Sequence, residues 1–215
     1  VQAQGEGNND NVGGFVGYAD NSTLTKITYC SNHGTINGGF DVGGFIGFGF
    51  NRENEIIFVN QSQNYGDITA RTGAAGGIIG TISSFSKTNV TNCFSNGIIN
   101  AECSNCAIGG LIGRVQNEPN FYSTNHESTL KLVNNTCDLQ WNSVKTSVVG
   151  GVIGKINGTL NLKVEIDQTN TLGSINVEMD KKEPSVVGVG GFIGFVVNNS
   201  ALKIEISNSN NDCSI

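Results

Sequence analysis

In 215 residues the chain holds 30 Gly, 30 Asn and only two Pro, and its aliphatic residues are 21 Ile and 19 Val against nine Leu and eight Ala. This is a composition of strands joined by frequent turns and excludes a helix bundle, while 60 Leu, Ile, Val and Phe exclude wholesale disorder. The net charge is −6, with no basic run longer than Lys181-Lys182, so the sequence encodes no nucleic-acid surface. No apolar stretch approaches the ~18 residues of a membrane span, and no leader is visible at Val1.

Taken in chain order, the sequence opens on a polar turn, Gly5 to Asn11, which has neither the EF-hand spacing nor the glycine-rich nonapeptide of a calcium site. A pentapeptide then begins: two glycines, two apolar residues and a glycine. It recurs six times, at Gly13–Gly17, Gly43–Gly47, Gly76–Gly80, Gly109–Gly113, Gly150–Gly154 and Gly190–Gly194. An apolar residue precedes each copy, so the repeats begin near Val12, Val42, Ala75, Ile108, Val149 and Val189. After each motif comes an alternating strand, clearest as Leu160, Leu162, Val164 and Ile166 with Asn161, Lys163 and Glu165 between them. A turn and a third short element follow, with one apolar residue at Ile36, Ile68, Ile99, Leu139, Ile175 and Ile215.

A unit of about 30 residues with three short strands cannot bury its apolar side alone, but stacked copies bury a continuous core. The expected fold is therefore all-β, a single domain over 1–215 forming a parallel β-solenoid (β-helix) of about six coils with three short strands per coil. Longer later repeats place their extra residues in loops, where Pro119 and Pro184 lie. The two apolar residues of each motif pose a question, because a straight strand sends neighbours to opposite faces. Either Gly-Gly bends the chain, which is the favoured reading, or one stripe faces outward.

The six sequons, Asn21, Asn60, Asn89, Asn134, Asn157 and Asn198, are candidates for N-glycosylation. Asn21, Asn157 and Asn198 stand first, each in the turn leaving the first strand. Cys103 and Cys106 form one Cys-x-x-Cys without the second pair a zinc site needs, which leaves a local disulfide or free thiols. Cys30 and Cys93 are expected as core residues two coils apart, with Val59 between them, too distant for a disulfide. Asn32, Asn64, Asn96, Asn135, Asn170 and Asn210 are expected to shape the turn before the third strand. His33 and His126 lie far apart in a turn and a loop, and no Gly-x-Ser-x-Gly occurs. Acids recur at matched positions only at Asp67 and Asp138, the one pair a carbohydrate-active enzyme on this scaffold would use.

The motifs resemble the GLUG repeats, whose signature of Gly, Leu, a hydrophobic residue and Gly is matched literally by Gly110-Leu111-Ile112-Gly113. The accompanying Cys, Asn, Gly and aliphatic pattern is similar in Cys30-Ser31-Asn32-His33-Gly34-Thr35-Ile36 and Cys93-Phe94-Ser95-Asn96-Gly97-Ile98-Ile99. The resemblance implies a right-handed β-helix-like stack of the kind found in large secreted or surface proteins, with no catalytic residues to carry over. The sequence is thus read as a non-enzymatic, extracellular or cell-surface structural or adhesive element. The alternative is a polysaccharide lyase or glycosidase on a β-helix. No cofactor, metal, nucleic acid or membrane insertion is expected. Val1-Gln2 and Ile215 align with the third strand, so the expected partners are head-to-tail copies or flanking repeats of a longer chain, with glycans as a further candidate.

Overall fold

Each motif places two glycines where the chain reverses direction, and this corner generates the architecture. The computed structural model describes residues 10–20, 24–51, 56–84, 87–103, 106–116, 128–140, 148–157, 162–174, 188–197 and 202–213. Among them every strand pairing is parallel and joins successive repeats, so the chain forms a β-solenoid of six coils.

The first sheet holds the short strands Val12–Gly13, Asp41–Gly43, Ala74–Gly76, Ala107–Gly109, Val148–Gly150 and Gly188–Gly190. The second begins just past the corner, with Val16–Asp20, Ile46–Asn51, Ile79–Ser84, Ile112–Gln116, Ile153–Asn157 and Ile193–Val197. What reads in the sequence as one first strand is therefore two, broken at Gly-Gly. At the corner, successive amides share one acceptor. Ile78 and Ile79 both donate to the Leu111 carbonyl at 2.9 Å, and Leu111 and Ile112 both donate to the Val152 carbonyl at 3.0 Å. With two residues set against one acceptor, the alternation of side chains is broken, as in a bulge. Both apolar residues then turn inward, and Phe45, Ile46, Ile78, Ile79, Leu111 and Ile112 are all fully buried. The bend is the correct reading, and no apolar stripe faces outward in these coils.

The third sheet is the alternating strand, seen as Leu24–Thr28, Ile56–Asn60, Lys87–Thr91, Ser128–Val133, Leu162–Asp167 and Leu202–Ser207. Ile57, Val59, Val90, Leu130, Leu132, Val164 and Ile166 point into the core, and the polar set between them faces out. A sharp corner follows, at which Tyr29, Gln61, Asn92, Asn134, Gln168 and Asn208 all have φ between 48° and 56°.

The fourth sheet brings together Ile36–Gly38, Ile68–Ala70, Phe94–Ala101, Thr136–Gln140, Asn170–Ser174 and Asn210–Asn211, with Ser31–Asn32 and Gln63–Asn64 alongside. Ile36, Ile68 and Ile99 form one buried ladder, as expected. Leu139 does not extend it: the residue pairs with Gly97 and Gly173, two positions upstream. The strand Phe94–Ala101 is long enough for its second half to pair with the coil before and its first half with the coil after. Ile175, Ile215, Leu160, Pro119, Pro184 and His126 lie outside the described residues.

Candidate functional site

Among the described residues the unusual chemistry lies at the Gly-Gly corner, at the left-handed corner and on the outer face of the third sheet.

Asp41 occupies a first-sheet column otherwise filled by Ala74, Ala107, Val148 and Gly188, and it is fully buried. Thr81 of the next coil donates its hydroxyl to Asp41 Oδ1 at 2.7 Å. Arg114, beside Thr81 in the second sheet, is the cation whose charge acts on Asp41, and its guanidinium lies 5.9 Å over the Phe40 ring. Burial raises the Asp41 pKa to about 6, against the opposing pull of the Thr81 hydrogen bond and the Arg114 charge. Burial also lowers the pKa of Arg114. Asp41 Oδ2 and Arg114 Nε are buried without a hydrogen-bond partner among the described residues. Aligning the repeats exposes the signal for this cluster, since an acid stands in a column of small apolar residues.

At the left-handed corner, side chains link the coils. Asn134 donates its amide to Asn92 Oδ1 at 2.6 Å, and Asn92 donates to Asn60 Oδ1 at 3.0 Å. Thr91 also donates to Asn60 Oδ1, and Ser207 and Asn208 repeat the arrangement on Asp167 Oδ1. Hydrogen bonding to its charged form lowers the pKa of Asp167. Immediately after the positive-φ residues of this corner come Cys30, Ser62, Cys93, Asn135, Thr169 and Ser209. The residue between Cys30 and Cys93 is therefore Ser62, not Val59, which pairs with Ile27 and Val90 instead. Ser62 Oγ accepts the Cys30 amide at 3.3 Å, Asn135 Oδ1 the Cys93 amide at 2.9 Å and Ser209 Oγ the Thr169 amide at 3.1 Å. The thiols of Cys30 and Cys93 donate to carbonyls two residues back, as Ser62 and Thr169 do. Cysteine here does the work of a hydroxyl residue, and burial pushes the Cys93 thiol up to about 11, keeping it protonated.

The expected asparagines do not form one column. Asn32 and Asn64 are paired, and the Asn32 amide donates to Asn64 Oδ1 at 2.7 Å. Asn170 and Asn210 form a second column, while Asn96 pairs with Asp138 and Asn135 belongs to the cysteine position. His33 is exposed and stacks on Tyr65, with ring centroids 4.9 Å apart.

Of the sequons, Asn60 and Asn134 belong to the corner ladder. Asn89 faces outward in mid-strand between Phe58 and Lys131, and Asn157 ends a second-sheet strand. Asn21 and Asn198 lie outside the described residues. Cys103 and Cys106 are joined by a disulfide with Cα atoms 5.4 Å apart, at the passage from the fourth sheet to Ala107. Cys30, Cys93, Cys137 and Cys213 are free. Asp67 and Asp138 do not share a register: Asp67 aligns with Ile98 and accepts its amide at 2.9 Å, while Asp138 aligns with Asn96.

The outer face of the third sheet changes character along the stack. In coils five and six, Lys163 bridges Glu165 and Glu205, Lys203 pairs with Glu205 at 2.6 Å, and Lys131 of coil four reaches Glu165 at 3.0 Å. Coils one and two instead present Leu24, Ile56 and Phe58.

The family model described as "The GLUG motif" matches residues 8–37, the segment from before the first Gly-Gly corner through Ile36. The chain carries a GLUG motif. The pattern of Gly-Gly, two apolar residues and Gly found in this segment returns in every coil, so the Gly-Gly corner is the structural repeat of the stack. Halomucin of Haloquadratum walsbyi is 28% identical over 207 residues, covering 94% of this chain and 2% of halomucin. The chain thus spans a small fraction of that relative's length. No solved structure matches.

Proposed function

We propose that this GLUG-bearing solenoid is a non-enzymatic structural element of an extracellular or cell-surface protein, extended by further coils and contributing to adhesion. The further coils are flanking repeats of a longer chain or head-to-tail copies forming a filament. The observation that carries this reading is the dependence of burial on neighbouring coils. Phe45 is fully buried, while Phe15, stacked on it at 5.0 Å, is 50% exposed. Ile166 is fully buried, while its partner Ile206 is 46% exposed. A coil added at either edge would cover the same columns that inner coils cover for one another. The similarity to a small segment of a far longer protein supports the same reading.

N-glycans fit a surface protein, and we assign them first to Asn157 and to Asn21 and Asn198. Intact mass before and after glycosidase treatment of protein from a secreting host tests this, and a single unmodified mass would count against it. Electron microscopy of native material tests the extension. Filaments or a longer parent protein are expected, and monodisperse particles of one 215-residue unit would reject it.

A further inference from the structure

The outer face of the third sheet over coils one to four stands apart in a chain of net charge −6. Its described outward positions include Lys26, Lys87 and Lys131 and no Asp or Glu. Lys26 and Lys87 are exposed and form no ion pair among the described residues, whereas Lys131, at the far edge of this face, is paired with Glu165, and Lys163 and Lys203 further along the sheet are paired as well. Between these lysines lie Leu24, 51% exposed, and the partly exposed Ile56 and Phe58.

Parallel pairing fixes where the charges stand. Lys26 and Lys131 share one column through Phe58 and Asn89, three coil intervals or about 14 Å apart. Lys87 stands in the adjoining outward column, aligned with Leu24, Ile56 and Thr129. The patch is flat, about 14 Å along the stack and about 17 Å across, far below the ~800 Å² that each partner of a stable protein interface buries. Two unpaired cations are also few against the six to ten phosphate contacts, roughly, that give a protein strong electrostatic hold on nucleic acid. What fits is a thin chain with carboxylates at intervals and apolar sugar faces between them.

We propose that this face binds an anionic polysaccharide, with carboxylates on Lys26 and Lys87 and a sugar ring over Ile56 and Phe58. The ammonium groups hold the acidic sugars as point charges, and the side chains between them cover the C–H faces of the rings. The site requires no extension of the stack, so it stands or falls separately from the filament reading.

The test uses the 215-residue chain, made without N-glycans, on immobilised polygalacturonate. Wild type should bind at about 0.05 M salt, lose about tenfold in affinity by about 0.3 M, and ignore neutral dextran. Lys26→Gln with Lys87→Gln should weaken binding about tenfold, while Lys163→Gln with Lys203→Gln, an equal change of charge, should stay within about twofold. Unchanged circular-dichroism melting curves establish that both variants are folded. Absence of wild-type binding, equal loss in the two double variants, or tighter binding to single-stranded DNA of matched charge would overturn the proposal.

Discussion

At the scale of single residues, the glycines of the corner are set by space. A Cβ on Gly76 would fall on the Ile79 carbonyl oxygen and lie 2.7 Å from the Gly113 amide nitrogen, both backbone atoms that cannot swing aside. Gly76→Ala should therefore cost about 3 kcal/mol, seen as a lower urea midpoint, although alanine improves most backbones by reducing unfolded-state freedom. Asp41 yields a prediction of unusual sign. Its folded pKa, about 6, lies above the ordinary 3.8, so between those values the native state binds the extra proton. Its contribution to stability is greatest below the ordinary value and is lost as pH rises through about 6. Stability should thus increase as pH falls from 7 towards 4.5, by roughly 3 kcal/mol at most. Asp41→Asn should abolish the trend in urea titrations at several pH values. Glu165, Asp167 and Glu205, whose pKa values are lowered by hydrogen bonds, act in the opposite direction only as pH falls through their own range.

At the scale of elements, the ladder of Ile36, Ile68 and Ile99 shows how one column joins coils. Ile68 is fully buried between two like neighbours. Ile68→Asp would place an unpaired charge in that column, and a loss of at least about 4 kcal/mol in thermal or urea unfolding is expected. This ladder was legible in the sequence because its three residues follow turns of similar length. Leu139 sits two positions from the place its pattern suggests because Cys137-Asp138-Leu139-Gln140 imitates the Gly-x-Ile-x pattern, while register is decided by backbone pairing along the longer strand Phe94–Ala101. The left-handed corner gave no sequence signal. Its six residues are Tyr, Gln, Asn, Asn, Gln and Asn, and only Asn commonly marks positive φ. The Asp41, Thr81 and Arg114 cluster is hidden in the linear sequence for another reason: it joins residues from three coils and two sheets, separated by 33 to 73 positions.

At the scale of the whole molecule, the coil count and parallel stacking were legible because the Gly-Gly motif recurs six times and its first three spacings, 30, 33 and 33 residues, are too short for propeller blades. The direction of its two apolar residues was not, since alternation rules assume a straight strand. Shared carbonyl acceptors answer that question and tie every coil to the next at the same corner. Long-range carbonyl–amide couplings across hydrogen bonds, recorded on deuterated, 15N,13C-labelled protein, test this most directly. The account predicts that the Ile78 and Ile79 amides both couple to the Leu111 carbonyl, and the Leu111 and Ile112 amides both to that of Val152. Reciprocal couplings between neighbouring strands, the signature of antiparallel hairpins, would contradict it.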